Sequence, residues 1–312
     1  MPKIHCTYEG LIAPVFTPLN NDKNQSLNLS VIPSYAKFLK SKNINGILVN
    51  GTTGEGTSLT IDERKKVTEA WATIVKETNQ YLMVQIGGAS IRDVKELAEH
   101  AESLGVNSIL CLPELYFKPN TVDDLIEYLR LIGESAPKTP LLYYDFPKAS
   151  MVNINVEQLF KLGSEKIPTF SGIKTDLERG LQARRANNTD LKIFLAGDML
   201  MIGGCAAEFD SYIMTSLNFI AKPAFDLLEF GKGSNNLNNA RQNQNYINKI
   251  NSAITSYGTW VETMKIAMSL ITNLYMGPPR APLKFLTKES IEAMDKDLTK
   301  IGLKTSKTML LK

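Results

Sequence analysis

Eight short apolar, β-prone runs alternate with longer stretches of helical pattern, and this alternation constrains the chain more than any other feature. The runs are GLIAPVFTP, INGILVNG, YLMVQIGG, VNSILCLP, PLLYYDFP, FSGIK, LKIFLAG and DSYIMT. Between them lie segments such as DERKKVTEAWATIVKET, IRDVKELAEHAESLG and TVDDLIEYLRLIGESA, with apolar residues three and four apart. Strands that alternate with helices build parallel sheets, and eight of them fit an α/β architecture of the (β/α)8 TIM-barrel type. Thr60 or Asp62 is placed to cap the second helix, and Ser90 the third. The eighth run is complete near Thr215, so the C-terminal third forms an added helical layer. The organisation expected is a single domain over 1–312, with the barrel at about 8–225 and the helical extension at about 226–312.

Composition narrows the function. With 312 residues, 43% of them apolar and 21% charged, a large core is available. The net charge of +3 comes from interspersed acids and bases, so no basic stripe points to nucleic acid and no cationic amphipathic segment points to a membrane. Small molecules are the expected partners. The start, MPKIHCTYEGLIAPVF, lacks a secretory pattern, and no run approaches the roughly 20 apolar residues of a membrane span. A cytoplasmic location is the expectation. The three cysteines, Cys6, Cys111 and Cys205, are odd in number and lack close pairing, which argues against disulfides and thiolate metal sites. Only His5 and His100 are present, so a serine-triad hydrolase or a histidine-ligated metal has little to be built from. No metal site is expected on these grounds. The stretch GSNNLNNARQNQNYINKINSA reads as a polar helix face or a connection.

In such a barrel the C-terminal strand ends converge on one mouth, where functional side chains sit. Lys174 closes the sixth strand. Desolvation there disfavours an ammonium ion and leaves a neutral amine able to attack a carbonyl carbon. The alternatives are a lysine snorkelling to solvent or one paired with Asp176. Tyr144 ends the fifth strand next door, where a phenol either relays protons or simply packs; Tyr143 should point to the outer helices. NGTTGEGTSL follows the second strand, and its glycines with the Thr52 and Thr53 hydroxyls make either a carboxylate-binding nest or a plain loop.

Taken in order, GTTGEG after strand two, YYDFP at strand five, GIK at strand six and GD after strand seven resemble the pyruvate-dependent class I aldolases, the family of N-acetylneuraminate lyase and dihydrodipicolinate synthase. The resemblance runs from about Gly10 to about Leu303. VNGTTGEGTSLTIDERKKV and MGPPRAPL are most similar to the animal-type N-acetylneuraminate lyases. The resemblance implies reversible cleavage of N-acetylneuraminate to N-acetylmannosamine and pyruvate, with no cofactor and with a homotetrameric assembly. It implies Lys174 as the imine-forming residue and Tyr144 as the proton shuttle. Thr52 and Thr53 would bind the carboxylate, with Thr53 joining the tyrosine in a hydroxyl relay. Tyr116 stands near a tyrosine that meets a neighbouring subunit's site in relatives. MGPPRAPL itself reads as a stiff turn that sets how the last helices pack.

Departures cluster on the sugar side. The lyases carry a glycine, one spacer and an Asp-Glu pair after strand seven to hold the polyhydroxyl tail. Here the text is AGDMLM, so Gly197 and Asp198 remain as substrate-binding candidates while Met199 and Leu200 bring apolar surface. Asp176, a further substrate-binding candidate, replaces the usual Ser or Thr near the lysine, where its carboxylate would favour the ammonium form and oppose nucleophilicity unless it points away, and Asp145 replaces Asn or His after the tyrosine. Thr215 stands where the family places a serine hydroxyl and is the last substrate-binding candidate. These changes keep two alternatives open: an aldolase for a different 2-keto-3-deoxy acid, and an impaired homologue that acts as a binding or structural protein.

Overall fold

The eight apolar runs form eight parallel strands that pair in sequence order and close, β8 returning to β1. In this computed structural model, residues 3–186, 191–234 and 236–306 are described. The strands are β1 Gly10–Pro14, β2 Gly46–Val49, β3 Tyr81–Gln85, β4 Ser108–Cys111, β5 Leu141–Tyr144, β6 Phe170–Thr175, β7 Lys192–Ala196 and β8 Ser211–Ile213. The helices around them are α1 Ile32–Ser41, α2 Ile61–Thr78, α3 Ile91–Ser103, α4 Val122–Ser135, the single turn α5 Pro147–Ser150, α6 Val156–Lys166, α7 Leu177–Ala186, α8 Met201–Ala206 and α9 Lys222–Gly231. Beyond them lie α10 Leu237–Thr255, α11 Trp260–Thr272 and α12 Lys288–Lys300. The (β/α)8 barrel and its C-terminal helices are thus as expected, although the expected boundary near 225 falls inside α9.

Two cores follow from the two-residue period of a strand. Leu141 and Tyr143 pack outward among the helices, whereas Leu142 and Tyr144 turn inward. Ile12, Leu48, Met83, Leu110, Phe194 and Ile213 join the inner set and fill the barrel. Helix starts are chemically marked. Thr60 forms a capping box with Glu63 at α2, so Thr60 and not Asp62 is the cap; Ser90 accepts the Asp93 amide at α3.

From Leu237 onward the asparagine-rich stretch is helix, not connection. Ala240, Ile247, Ile250 and Ile254 recur at helical spacing and are buried, which gives α10 an apolar stripe despite its polar composition. Its buried Gln244 reaches the loop after β7, donating to the Asp198 carbonyl at 2.9 Å and accepting from the Ile202 amide at 2.8 Å. A second tie joins α11 to the GTTGEG loop. Lys265, wholly buried, lies 2.7 Å from a Glu55 carboxylate oxygen and donates to the Pro278 carbonyl at 2.9 Å. Burial pushes the Lys265 ammonium below its ordinary range, and Glu55 opposes that shift. Arg280 pairs with Glu63 at 2.8 Å and with the Gln25 carbonyl at 2.8 Å. MGPPRAPL is therefore tied to the loop beside the barrel mouth through Lys265 and Glu55, and to α2 through Arg280.

Candidate active site

Lys174 reaches the mouth through an irregularity in β6. Leu141 pairs with Phe170 but Leu142 with Gly172, so β6 carries one extra residue. Phe170 and Ile173 both face the outer core, which strict alternation would forbid, and Lys174 is thereby turned inward opposite Tyr144. The bend needs glycine: φ at Gly172 is +144°, and a Cβ there would stand 2.0 Å from the Lys192 carbonyl oxygen.

All the residues selected from sequence border one cavity of about 1010 Å³ at the C-terminal mouth: Thr52, Thr53, Tyr144, Lys174, Asp176, Gly197, Asp198 and Thr215. Lys174 and Tyr144 are only 6% and 4% exposed. The Lys174 Nζ sits 3.8 Å from the centroid of the Tyr144 ring, within range of attraction between a cation and an aromatic face. The Tyr144 hydroxyl is 3.1 Å from Thr52 Oγ1. This corrects the expected relay through Thr53. Thr53 is buried and turned the other way, its Oγ1 3.1 Å from Thr215 Oγ1, while exposed Thr52 takes the phenol. Tight winding of the loop separates the two hydroxyls: a Cβ at Gly56 would lie 1.9 Å from the Asn50 carbonyl oxygen.

The carboxylates that the sequence set beside Lys174 are engaged elsewhere. Asp176 Oδ1 accepts the Arg179 amide at 3.0 Å and caps α7, so its position serves the helix start. Among the described residues neither Asp176 nor any other carboxylate forms an ion pair with Lys174. Asp145 accepts from Thr175 Oγ1 at 2.7 Å and from Arg179 Nη2 at 3.0 Å, and Arg179 also donates to Asn153 Oδ1 and the Ile154 carbonyl. Burial raises the Asp145 carboxyl above its usual range, and the Arg179 guanidinium opposes this. The cluster ties the residue after Tyr144 to the residue after Lys174 and so braces both strand ends.

Asp198 borders the cavity but turns its oxygens to the backbone, accepting the Thr215 amide at 3.2 Å and the Ser216 amide at 2.7 Å. Burial raises this carboxyl too, against the pull of those two donors. Met199 and Leu200 follow it at the rim, 40% and 63% exposed. Trp260 and Arg179 also border the cavity, and neither stood out in sequence. Trp260 Nε1 donates to Thr215 Oγ1 at 3.2 Å. A tryptophan at a helix start signals only packing until the C-terminal layer is seen to reach over the mouth. Arg179 reads as an ordinary surface residue of α7 until the α5–α6 segment folds against it.

An enclosed amine on the face of a phenol, with threonine hydroxyls across the mouth, defines a (β/α)8-barrel protein arranged for amine-dependent carbonyl chemistry. The chain matches the model of the dihydrodipicolinate synthetase family over residues 7–301, and it belongs to that family. It is 34% identical over 289 residues to the N-acetylneuraminate lyase of Gallus gallus, covering 91% of this chain and 92% of that protein. It is 32% identical over 295 residues to the N-acetylneuraminate lyase of Homo sapiens, covering 93% and 91%. The solved structure of Proteus mirabilis N-acetylneuraminate lyase superposes with a TM-score of 0.88 at 31% identity, covering 95% of this chain and 99% of that one. Among the described residues no helix is long and apolar enough to cross a membrane.

Proposed function

We propose that the protein is a class I aldolase that reversibly cleaves N-acetylneuraminate to N-acetylmannosamine and pyruvate. The observation that carries this reading is the enclosed Lys174 amine 3.8 Å above the Tyr144 ring in a chain so similar to the lyases. Lys174 Nζ adds to the C2 carbonyl carbon, and loss of that oxygen as water leaves a protonated imine. Tyr144 gives its phenolic proton to that departing oxygen, and the resulting phenolate takes the C4 hydroxyl proton, with Thr52 as its hydrogen-bond partner. The C3–C4 bond then breaks, its electron pair passes into the imine to give an enamine, and the C4 end departs as the aldehyde. Protonation of the enamine at C3 and hydrolysis return pyruvate and the free amine. We assign the substrate carboxylate to the Thr52-Thr53 loop, where Thr215 and Trp260 support the Thr53 hydroxyl.

Borohydride reduction in the presence of pyruvate should fix pyruvate covalently on Lys174, and N-acetylneuraminate should release pyruvate. No adduct at neutral pH would sink the imine mechanism. A second reading, an aldolase for a shorter 2-keto-3-deoxy acid, is favoured by Met199 and Leu200 at the rim, and a preference for the shorter acid in the release assay would establish it. We further propose a cytoplasmic homotetramer. Cys6, Cys111 and Cys205 are all unpaired, which suits a reducing compartment. Tyr116 and Phe117, each 82% exposed and in edge-to-face contact, offer an apolar surface for a neighbouring subunit. Light scattering should give four times the chain mass, and a monomer mass would overturn the assembly.

A further inference from the structure

Four carboxylates border the cavity: Asp145, Asp176, Glu178 and Asp198. Three have partners within the protein. Asp145 is held by Thr175 and Arg179, Asp176 by the Arg179 amide, and Asp198 by the Thr215 and Ser216 amides. Among the described residues Glu178 has no hydrogen-bond or ion-pair partner; it is exposed on the first turn of α7. Gln182 lies four residues on, borders the same cavity, and is likewise unpartnered among the described residues. Residues four apart share one helix face, so both present polar groups to the same side of the opening.

We infer that helix α7 completes the sugar side of this cavity, with Glu178 accepting hydrogen bonds from neighbouring hydroxyls of the substrate tail and Gln182 assisting one turn further along. The inference rests on the N-acetylneuraminate reading. A carboxylate has two oxygens and can accept from two adjacent hydroxyls at once, and such bonds are stronger than neutral ones. The loop after β7 cannot supply this. Its one carboxylate is turned to the backbone, and the side chains that follow are a methionine and a leucine. The cavity, at about 1010 Å³, extends from Lys174 to α7 and has room for a nine-carbon chain. A glutamate in the first turn also suits the positive end of the helix dipole, and a role confined to that would act on stability without regard to substrate length.

The test compares Glu178→Ala and the isosteric Glu178→Gln with the parent on three probes: N-acetylneuraminate, a shorter 2-keto-3-deoxy acid lacking the terminal hydroxyls, and pyruvate trapped by borohydride. Glu178→Ala is expected to raise KM for N-acetylneuraminate about tenfold to a hundredfold, the loss of charged hydrogen bonds, with kcat nearly kept. Glu178→Gln should fall between. The KM for the shorter acid and the half-saturation of pyruvate trapping should stay within about twofold. An unchanged KM for N-acetylneuraminate, or an equal rise for both acids, would overturn the assignment while the parent enzyme still turns over. If the parent traps pyruvate yet releases none from N-acetylneuraminate, the substrate reading falls, and this assignment falls with it.

Discussion

Replacing Lys174 by alanine is expected to abolish the borohydride-trapped pyruvate adduct and to lower cleavage by roughly 10⁴-fold or more, because the enclosed amine that carries the covalent intermediate is removed. The thermal midpoint should hold or rise. Lys174 is enclosed by the mouth and rests on an aromatic ring, and no carboxylate pairs with it among the described residues. A polar group buried on those terms costs stability, and removing it relieves that cost. The space vacated opens onto the cavity, so no dry void is left behind. Lys148 supplies the sharpest alternative. It also borders the cavity, but it is exposed on α5. Mass mapping of the trapped adduct separates the two lysines, and an adduct on Lys148 in Lys174→Ala would move the nucleophile.

Tyr144→Phe is expected to leave pyruvate trapping intact while slowing cleavage by about 10²- to 10⁴-fold, the contribution of a positioned general acid or base. The phenyl ring would remain beneath the amine, so the variant removes the hydroxyl alone. Its partner Thr52 is exposed at the mouth and can turn to water, which keeps the structural cost small. Tyr143 provides the control one residue away. Its side chain faces the outer core and its buried hydroxyl has no hydrogen-bond partner among the described residues. Tyr143→Phe should therefore leave turnover unchanged and stabilise the fold by about 1 kcal/mol, since an unsatisfied buried group is removed. Equal turnover in Tyr144→Phe and the parent would refute the shuttle, and equal losses in both variants would point to general disruption of β5.

The two substitutions also separate what was legible in the chain from what was not. The eight strands were legible because an apolar run flanked by turn residues and helical spacing is a local pattern that burial enforces. Lys174 and Tyr144 were legible as neighbours because strand order in a barrel follows chain order, and strand ends meet at one face. Yet local alternation from Phe170 would have turned Lys174 towards the helices. Only the pairing of β5 with β6 shows the extra residue that reverses it.

The same holds around the rest of the mouth. Thr52 and Thr53 are adjacent in sequence and point to different partners, because loop winding decides side-chain direction and no periodic pattern reports it. Asp198 and Asp176 looked like ligands or hazards for the lysine, and long-range and capping hydrogen bonds commit both to the backbone. Arg179 and Trp260 enter the site by contacts with segments far away in the chain. By itself, then, the sequence determined the barrel, the placement of an amine and a phenol at adjacent strand ends, and the family, since these depend on local periodicity and motif order. Tertiary structure alone decided which polar groups remain free to meet a substrate, because a hydrogen bond is claimed by whichever partner the folded chain brings within about 3 Å.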